Sequence, residues 1–125
     1  MTDSSTSLKT KLLYLEDEVF VCLEMADSIR LTFDVEVFST HTLQGARDLI
    51  ARNAFDYALL DVNLGRNEKS IGLGKELQEK GTKVLFCSGY ESADLNAVAV
   101  HDVIEKPFRV TALTRFFGEE LLISS

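Results

Sequence analysis

Short apolar runs alternate with amphipathic segments along this chain. Residues 12–15, 57–60 and 84–87 are uninterrupted apolar runs, which are typical of strands buried on both faces. A half-polar run at 35–38 and a short apolar pair at 103–104 predict a second strand and a fifth. The pattern therefore predicts five short strands.

The segments between these strands carry apolar residues at the three- and four-residue spacing of helices. Thr40 or Thr42 can cap the second helix, and Gly81 ends the third. Phe116 and Phe117 are adjacent in the last helix, so we expect that only one of them faces the core fully. The apolar positions are Val19, Leu23, Ala26 and Ile29; Leu43, Ala46, Leu49 and Ile50; Leu73 and Leu77; and Leu113, Phe116, Phe117 and Leu121.

The alternation of strands and helices predicts an α/β domain whose parallel sheet has helices on both faces, because parallel strands need crossover connections. At 125 residues, 46% of them hydrophobic, the chain can fill one core but not two. No apolar stretch is long enough to span a membrane. The polar residues 1–10 lack the apolar centre of a signal peptide, so we expect a flexible tail on a cytoplasmic protein.

Charge and cysteine usage exclude several classes of function. The net charge is −7 and no basic run occurs, which argues against direct binding of nucleic acid. Cys22 and Cys87 lie in separate apolar runs without CxxC spacing, so we expect buried thiols rather than a disulfide or a zinc site.

Polar side chains follow four of the predicted strands. Glu16 and Asp17 follow the first strand, Asp61 the third, Ser88 the fourth and Lys106 the fifth. Because ligands of parallel α/β sheets bind at the carboxyl ends of the strands, we expect these side chains to converge there. Each of these residues, taken by itself, is common as a helix cap or a turn residue. Only their occurrence together at successive strand ends favours a functional site.

These residue types suit phosphoryl chemistry on a carboxylate. Clustered carboxylates with an incomplete ligand shell suit Mg²⁺, which a phosphate can complete. A carboxylate such as Asp61 can act as a nucleophile and form an aspartyl-phosphate. Lys106 and Ser88 can hold the phosphoryl oxygens, and Lys106 is expected to pair with Asp61 beforehand and keep it ionised.

Three motifs resemble the response-regulator receiver family over residues 11 to about 122. They are Leu-Glu-Asp-Glu at 15–18, Leu-Leu-Asp-Val-Asn-Leu at 59–64 and Glu-Lys-Pro-Phe at 105–108. The resemblance implies a flavodoxin-like, doubly wound sheet of five parallel strands in the order 2-1-3-4-5, with five helices. It also implies a receiver domain over residues 11–125, preceded by the tail at 1–10.

The resemblance assigns roles to the strand-end residues. Asp61 would be phosphorylated with the help of Mg²⁺, Ser88 and Lys106 would bind the phosphate, and the Lys106–Pro107 bond would be cis. Asp17 would bind the metal directly, together with Asp61. The remaining metal contacts would come from Glu16, through water, and from the backbone carbonyl of Asn63.

The chain also departs from the usual receiver pattern. Val103 stands where receivers carry an aromatic switch residue, and Gly65 stands where many have proline. The stretch Phe-Cys-Ser-Gly-Tyr at 86–90 is similar to that of the receiver subgroup nicknamed "FAT GUY", which also lacks the switch aromatic. Seventeen residues separate Ser88 from Lys106, so the fourth helix must be short, within about residues 93–99.

Our hypothesis is that phosphorylation orders residues 90–99 and brings Tyr90 near the site, in place of an aromatic switch at Val103. The alternative is that Tyr90 is a static packing residue.

The first hypothesis is that the protein is a signalling switch of a two-component system or phosphorelay. It would not be a turnover enzyme. A sensor histidine kinase or a histidine phosphotransfer protein would phosphorylate it. The resemblance implies that a downstream protein would bind the fourth helix, fifth strand and fifth helix, roughly residues 92–122. The alternatives are an aspartyl-nucleophile phosphohydrolase and a phosphate-independent binding module. Asn63 argues against the first, since it cannot serve as general acid–base, and the intact set of site residues argues against the second.

Overall fold

Five parallel strands form the central sheet, in the order β2-β1-β3-β4-β5. The structure is a computed structural model that describes residues 9–65, 69–89 and 102–124. The strand order confirms the predicted doubly wound topology, in which the order reverses between β1 and β3. The strands are β1 (Lys11–Leu15), β2 (Glu36–Thr40), β3 (Tyr57–Asp61), β4 (Lys83–Gly89) and β5 (Val103–Lys106).

Four α-helices lie within the described residues: α1 (Val19–Thr32), α2 (Leu43–Arg52), α3 (Ile71–Glu79) and the short α4 (Thr114–Phe117). Of the two candidate caps for α2, Thr42 is the one used: its hydroxyl oxygen accepts from the Gly45 amide at 2.9 Å. The helix predicted within 93–99 lies outside the described residues. None of the helices described is long and apolar enough to cross a membrane.

Two apolar clusters cover the two faces of the sheet. One packs α1 and the C-terminal segment against the sheet, and it includes both cysteine side chains, which are buried as predicted. The other packs α2 and α3 against the opposite face. Because both faces are covered, the central strands are apolar on both sides, which explains the uninterrupted apolar runs in the sequence.

The buried face of α1 differs from the stripe that its spacing suggested. Cys22, Ala26 and Ile29 are buried, whereas Val19 and Leu23 are exposed. Residues 19–23 are all apolar, so helical spacing alone does not select one face. The structure places the small side chains of Cys22 and Ala26 against the sheet and leaves larger apolar side chains in solvent.

The last helix is shorter than predicted, and both of its phenylalanines are buried. Phe116 and Phe117 are 6% and 1% exposed, so the expectation that only one of them faces the core fully is wrong. The helix has only four residues and lies between the 3-10 turns Val110–Leu113 and Glu119–Leu121. Both rings contact Tyr57, with centroid distances of 5.2 and 5.1 Å, so neither points to solvent.

Candidate phosphoacceptor site

The carboxyl ends of the strands bring the predicted site residues to one edge of the sheet. Leu15 pairs with Leu60, so Glu16 and Asp61 follow at the same level of neighbouring strands. Gly89 of β4 pairs with Lys106 of β5, two positions beyond the pairing of Asp61 with Cys87. Parallel register therefore places both carboxylates and the lysine at this edge.

Lys106 joins two buried carboxylates. Its Nζ lies 3.0 Å from Glu16 Oε1 and 3.3 Å from Asp61 Oδ2. Burial lowers the pKa of Lys106, but the hydrogen bond to Glu16 and the charge of Asp61 outweigh this and raise it. The ammonium group is therefore protonated at neutral pH. The Lys106–Pro107 peptide bond is cis, as expected.

Three carboxylates meet around this lysine. Oxygen atoms of Glu16, Asp17 and Asp61 all lie within 4.8 Å of one another. Burial and the charge of Glu16 raise the pKa of Asp61 from 3.8 to about 7, and Lys106 offsets only part of the rise. The expected pairing with Lys106 is present and favours the ionised form of Asp61, but it does not fully offset burial and the charge of Glu16. The excess negative charge and the oxygen-only donor set fit a divalent cation.

Ser88 and the backbone carbonyl of Asn63 were also predicted for the site, and the structure shows other contacts for these two residues. Ser88 is buried in β4, and its Oγ donates to the carbonyl of Gly89 at 3.1 Å. The backbone amide of Asn63 approaches Asp61 Oδ1 at 3.4 Å, and its side-chain oxygen accepts from Lys69 Nζ at 3.2 Å. Asn63 is therefore held beside Asp61 at the start of the loop that leads to α3.

Two residues that support the site were missed in the sequence. Ser70 is fully buried, and its Oγ donates to the carbonyl of Asp61 at 2.7 Å, which ties the start of α3 to the end of β3. His41 Nδ1 lies 3.1 Å from the carbonyl of Glu16. A serine directly before a helix is a recognisable signal, usually of a cap. No local pattern marks His41, because its contact is made across strands.

The structure describes one of the two switch candidates, Val103. Val103 in β5 is partly buried and packs against the cluster on the α2 and α3 side of the sheet. Tyr90 lies outside the described residues, so the hypothesis about it stays a prediction.

Comparison with solved structures shows the fold of response-regulator receiver domains. The receiver domain protein (CheY-like) from Methanospirillum hungatei JF-1 has a TM-score of 0.75 and 19% identity, covering 90% of this chain and 93% of that one. SdrG from Sphingomonas melonis Fr1 has a TM-score of 0.67 and 25% identity, covering 86% and 92%. A response regulator from Burkholderia pseudomallei, solved with a phosphorylated aspartic acid, calcium ion and citrate, has a TM-score of 0.71 and 21% identity.

This chain covers 64% of the length of the Burkholderia protein, and the alignment includes 84% of the present chain. Neither protein-family comparison nor comparison with curated proteins gives a match. The structural likeness confirms the receiver fold predicted from the motifs, whereas membership of the "FAT GUY" subgroup is not confirmed.

Proposed function

We propose that this chain is a phosphoacceptor response regulator in which Asp61 receives a phosphoryl group. The observation that carries the proposal is the contact of Lys106 with both Asp61 and Glu16 at the carboxyl edge of a receiver-type sheet. A buried nucleophile, a fixed cation and a cluster of metal-binding oxygens are what transfer of a phosphoryl group to a carboxylate requires.

The step begins when an oxygen of Asp61 attacks phosphorus on a phosphorylated histidine of the donor. A P–O bond forms as the P–N bond to the imidazole breaks, and the imidazole leaves with the bonding electron pair. Lys106 is close enough to bind a phosphoryl oxygen once the Asp61 contact lengthens. Ser88 is proposed to turn from the Gly89 carbonyl to the phosphoryl group.

We propose Mg²⁺ as the metal of this site, held by Asp17 and Asp61, by Glu16 through water and by the carbonyl of Asn63. When bound, Mg²⁺ neutralises charge on the carboxylates and on the phosphoryl oxygens. Without such a cation, burial and the charge of Glu16 raise the pKa of Asp61 to about 7, so part of its carboxyl is protonated near neutral pH and is then a poor nucleophile. The bound metal would therefore favour the ionised form of the Asp61 carboxylate and would also orient it.

The proposed donors are a sensor histidine kinase or a histidine phosphotransfer protein, and the proposed output is contact with a downstream protein through residues 92–122. The chain would catalyse only its own phosphorylation and dephosphorylation. A phosphohydrolase is less well supported, because Asn63 occupies the position two residues after the nucleophile and cannot act as general acid–base.

Incubation with acetyl phosphate and Mg²⁺, followed by intact-mass measurement, tests this proposal. We expect one phosphoryl addition in the wild type, none in Asp61→Asn and a strong reduction when EDTA replaces Mg²⁺. Asp48→Asn, an exposed aspartate on α2, is the matched control and should be modified like the wild type. No addition to the wild type, or full addition to Asp61→Asn, would overturn the assignment.

A further inference from the structure

His41 follows β2 directly and contacts the backbone of the segment that follows β1. The last pairing between these strands joins Leu15 to Thr40, and the amide of Glu16 donates to the carbonyl of Thr40 at 3.1 Å. Nδ1 of His41 lies 3.1 Å from the carbonyl of the same residue, Glu16. Because a carbonyl oxygen only accepts hydrogen bonds, Nδ1 carries the hydrogen of this contact and donates it.

The His41 ring continues the hydrogen bonding between β1 and β2 beyond their ladder. At the start of this ladder, the amide of Glu36 donates to the carbonyl of Thr10. In the same register, the amide of Thr42 would donate to the carbonyl of Glu16. Thr42 instead caps α2, and no backbone amide of the described residues donates to the Glu16 carbonyl. The imidazole of His41 therefore supplies the donor that the ladder no longer provides.

The peptide group that His41 holds is the one that joins Glu16 to Asp17. A peptide group is planar, so fixing its carbonyl also fixes the direction in which the chain continues to the Cα of Asp17. Asp17 is half-buried, and within the part of the chain described no ion pair holds its side chain. The position of its carboxylate therefore depends on the backbone that precedes it.

His41 lies outside the cluster of metal-binding oxygens. Among the described residues, the donor atoms that lie within 4.8 Å of one another come from Glu16, Asp17 and Asp61. His41 is nevertheless bonded to the backbone that carries two of these three carboxylates. Groups that orient metal ligands without touching the metal change metal affinity by roughly 10- to 100-fold when they are removed.

We propose that His41 is a positioning residue of the metal site, because its hydrogen bond to the Glu16 carbonyl holds Glu16 and Asp17 where they bind Mg²⁺. This rests on the proposed function, in which Mg²⁺ binds these carboxylates. Loss of the imidazole donor should weaken binding of Mg²⁺ and leave phosphoryl transfer intact once the metal is bound. His41 makes no hydrogen bond with Asp61 or Lys106 in the described structure.

Variants of His41 separate the hydrogen-bond donor from the bulk of the ring. His41→Asn keeps an N–H donor as many bonds from the main chain as Nδ1, whereas His41→Leu has the branched shape of Asn without a donor. Titration of the metal-free, unphosphorylated protein with Mg²⁺, followed by the backbone NMR shifts of residues 17 and 61, measures the affinity. We expect His41→Leu to raise the Kd for Mg²⁺ by about tenfold and His41→Asn to return it to within about threefold of the wild type. His41→Ala, which also lacks the donor, should behave like His41→Leu.

Thr42→Ala is the matched control for general damage to this loop. The Thr42 hydroxyl caps α2 by accepting from the Gly45 amide, so its loss weakens the structure beside His41 but leaves the donor to Glu16 in place. The Kd of Thr42→Ala for Mg²⁺ should equal that of the wild type. Circular dichroism should show that each variant is folded.

The rate of phosphorylation by acetyl phosphate separates the role of His41 from the proposed function. His41→Leu should react about tenfold more slowly than the wild type at low Mg²⁺ and within about twofold of the wild-type rate at saturating Mg²⁺. If the wild type binds Mg²⁺ in a manner that depends on His41 but gains no phosphoryl group, the proposed function fails and the role of His41 stands.

Five results would each overturn the role of His41. They are no Mg²⁺ binding by the wild type, unchanged Mg²⁺ affinity of His41→Leu and His41→Ala, no rescue by His41→Asn, an equal loss of affinity in Thr42→Ala, and a rate defect of His41→Leu that saturating Mg²⁺ does not repair. The last of these would place His41 in the transfer step rather than in the binding of the metal.

Discussion

Asp61→Asn is expected to stabilise the metal-free protein, and the gain should grow with pH. The carboxyl of Asp61 is buried, and its pKa is raised from 3.8 to about 7 in the folded chain. Since the folded state binds this proton more tightly than the unfolded state, rising pH favours unfolding until Asp61 is ionised in both states. Wild-type stability contributed by this group therefore falls between about pH 4 and pH 7.

The size of the effect follows from the two pKa values. At 1.36 kcal/mol per pH unit, the difference between the two pKa values lowers the free energy of unfolding of the wild type by about 2 kcal/mol at pH 5 and about 4 kcal/mol at pH 8, relative to a pH below both values. Asparagine does not ionise and retains an oxygen that can accept from Lys106 and from the Asn63 amide, so the substitution removes this cost. The free energy of unfolding of Asp61→Asn should therefore exceed that of the wild type by about 2 kcal/mol at pH 5 and about 4 kcal/mol at pH 8.

Urea denaturation in EDTA at pH 5 and pH 8, followed by circular dichroism, measures the difference. Asp48→Asn on α2 controls for the loss of one negative charge at an exposed position. Mg²⁺ should stabilise the wild type at pH 8 and narrow its gap to Asp61→Asn. A gain that is equal at both pH values, or a variant that is less stable than the wild type at pH 8, would refute the account of Asp61.

Three other measurements test the roles of Lys106 and Ser70 at the site and the hypothesis that phosphorylation orders residues 90–99. Lys106→Ala leaves Glu16 and Asp61 without their shared cation and should lower the free energy of unfolding at pH 8 by about 3 kcal/mol, measured in urea. Ser70→Ala removes the donor to the Asp61 carbonyl and should cost about 1–2 kcal/mol by thermal denaturation, whereas an unchanged midpoint would show that this bond is unimportant. Beryllofluoride with Mg²⁺ should increase amide-exchange protection across residues 89–100, and unchanged protection there would reject the ordering hypothesis.

The sequence by itself determined the order of elements and the location of the site. Uninterrupted apolar runs required strands covered on both faces, and such strands require crossover helices, so the parallel sheet followed from local pattern. Once the sheet is parallel, residues directly after its strands must share one edge. This is why the sequence alone predicts that Glu16, Asp17, Asp61 and Lys106 lie together.

Only the tertiary structure decided which surfaces are buried and how the site is charged. The apolar residues 19–23 allow more than one face of α1 to be buried, and packing against the sheet selected Cys22 and Ala26. Tyr57, distant in sequence, explains why Phe116 and Phe117 are both in the core.

The contacts of Ser70 and His41 with the site likewise join separate elements. The protonation of Asp61 depends on how deeply its carboxyl is buried and on its distances from the charges of Glu16 and Lys106. The order of residues along the chain does not specify burial or distances between charges, because both arise only when separate segments of the chain pack together.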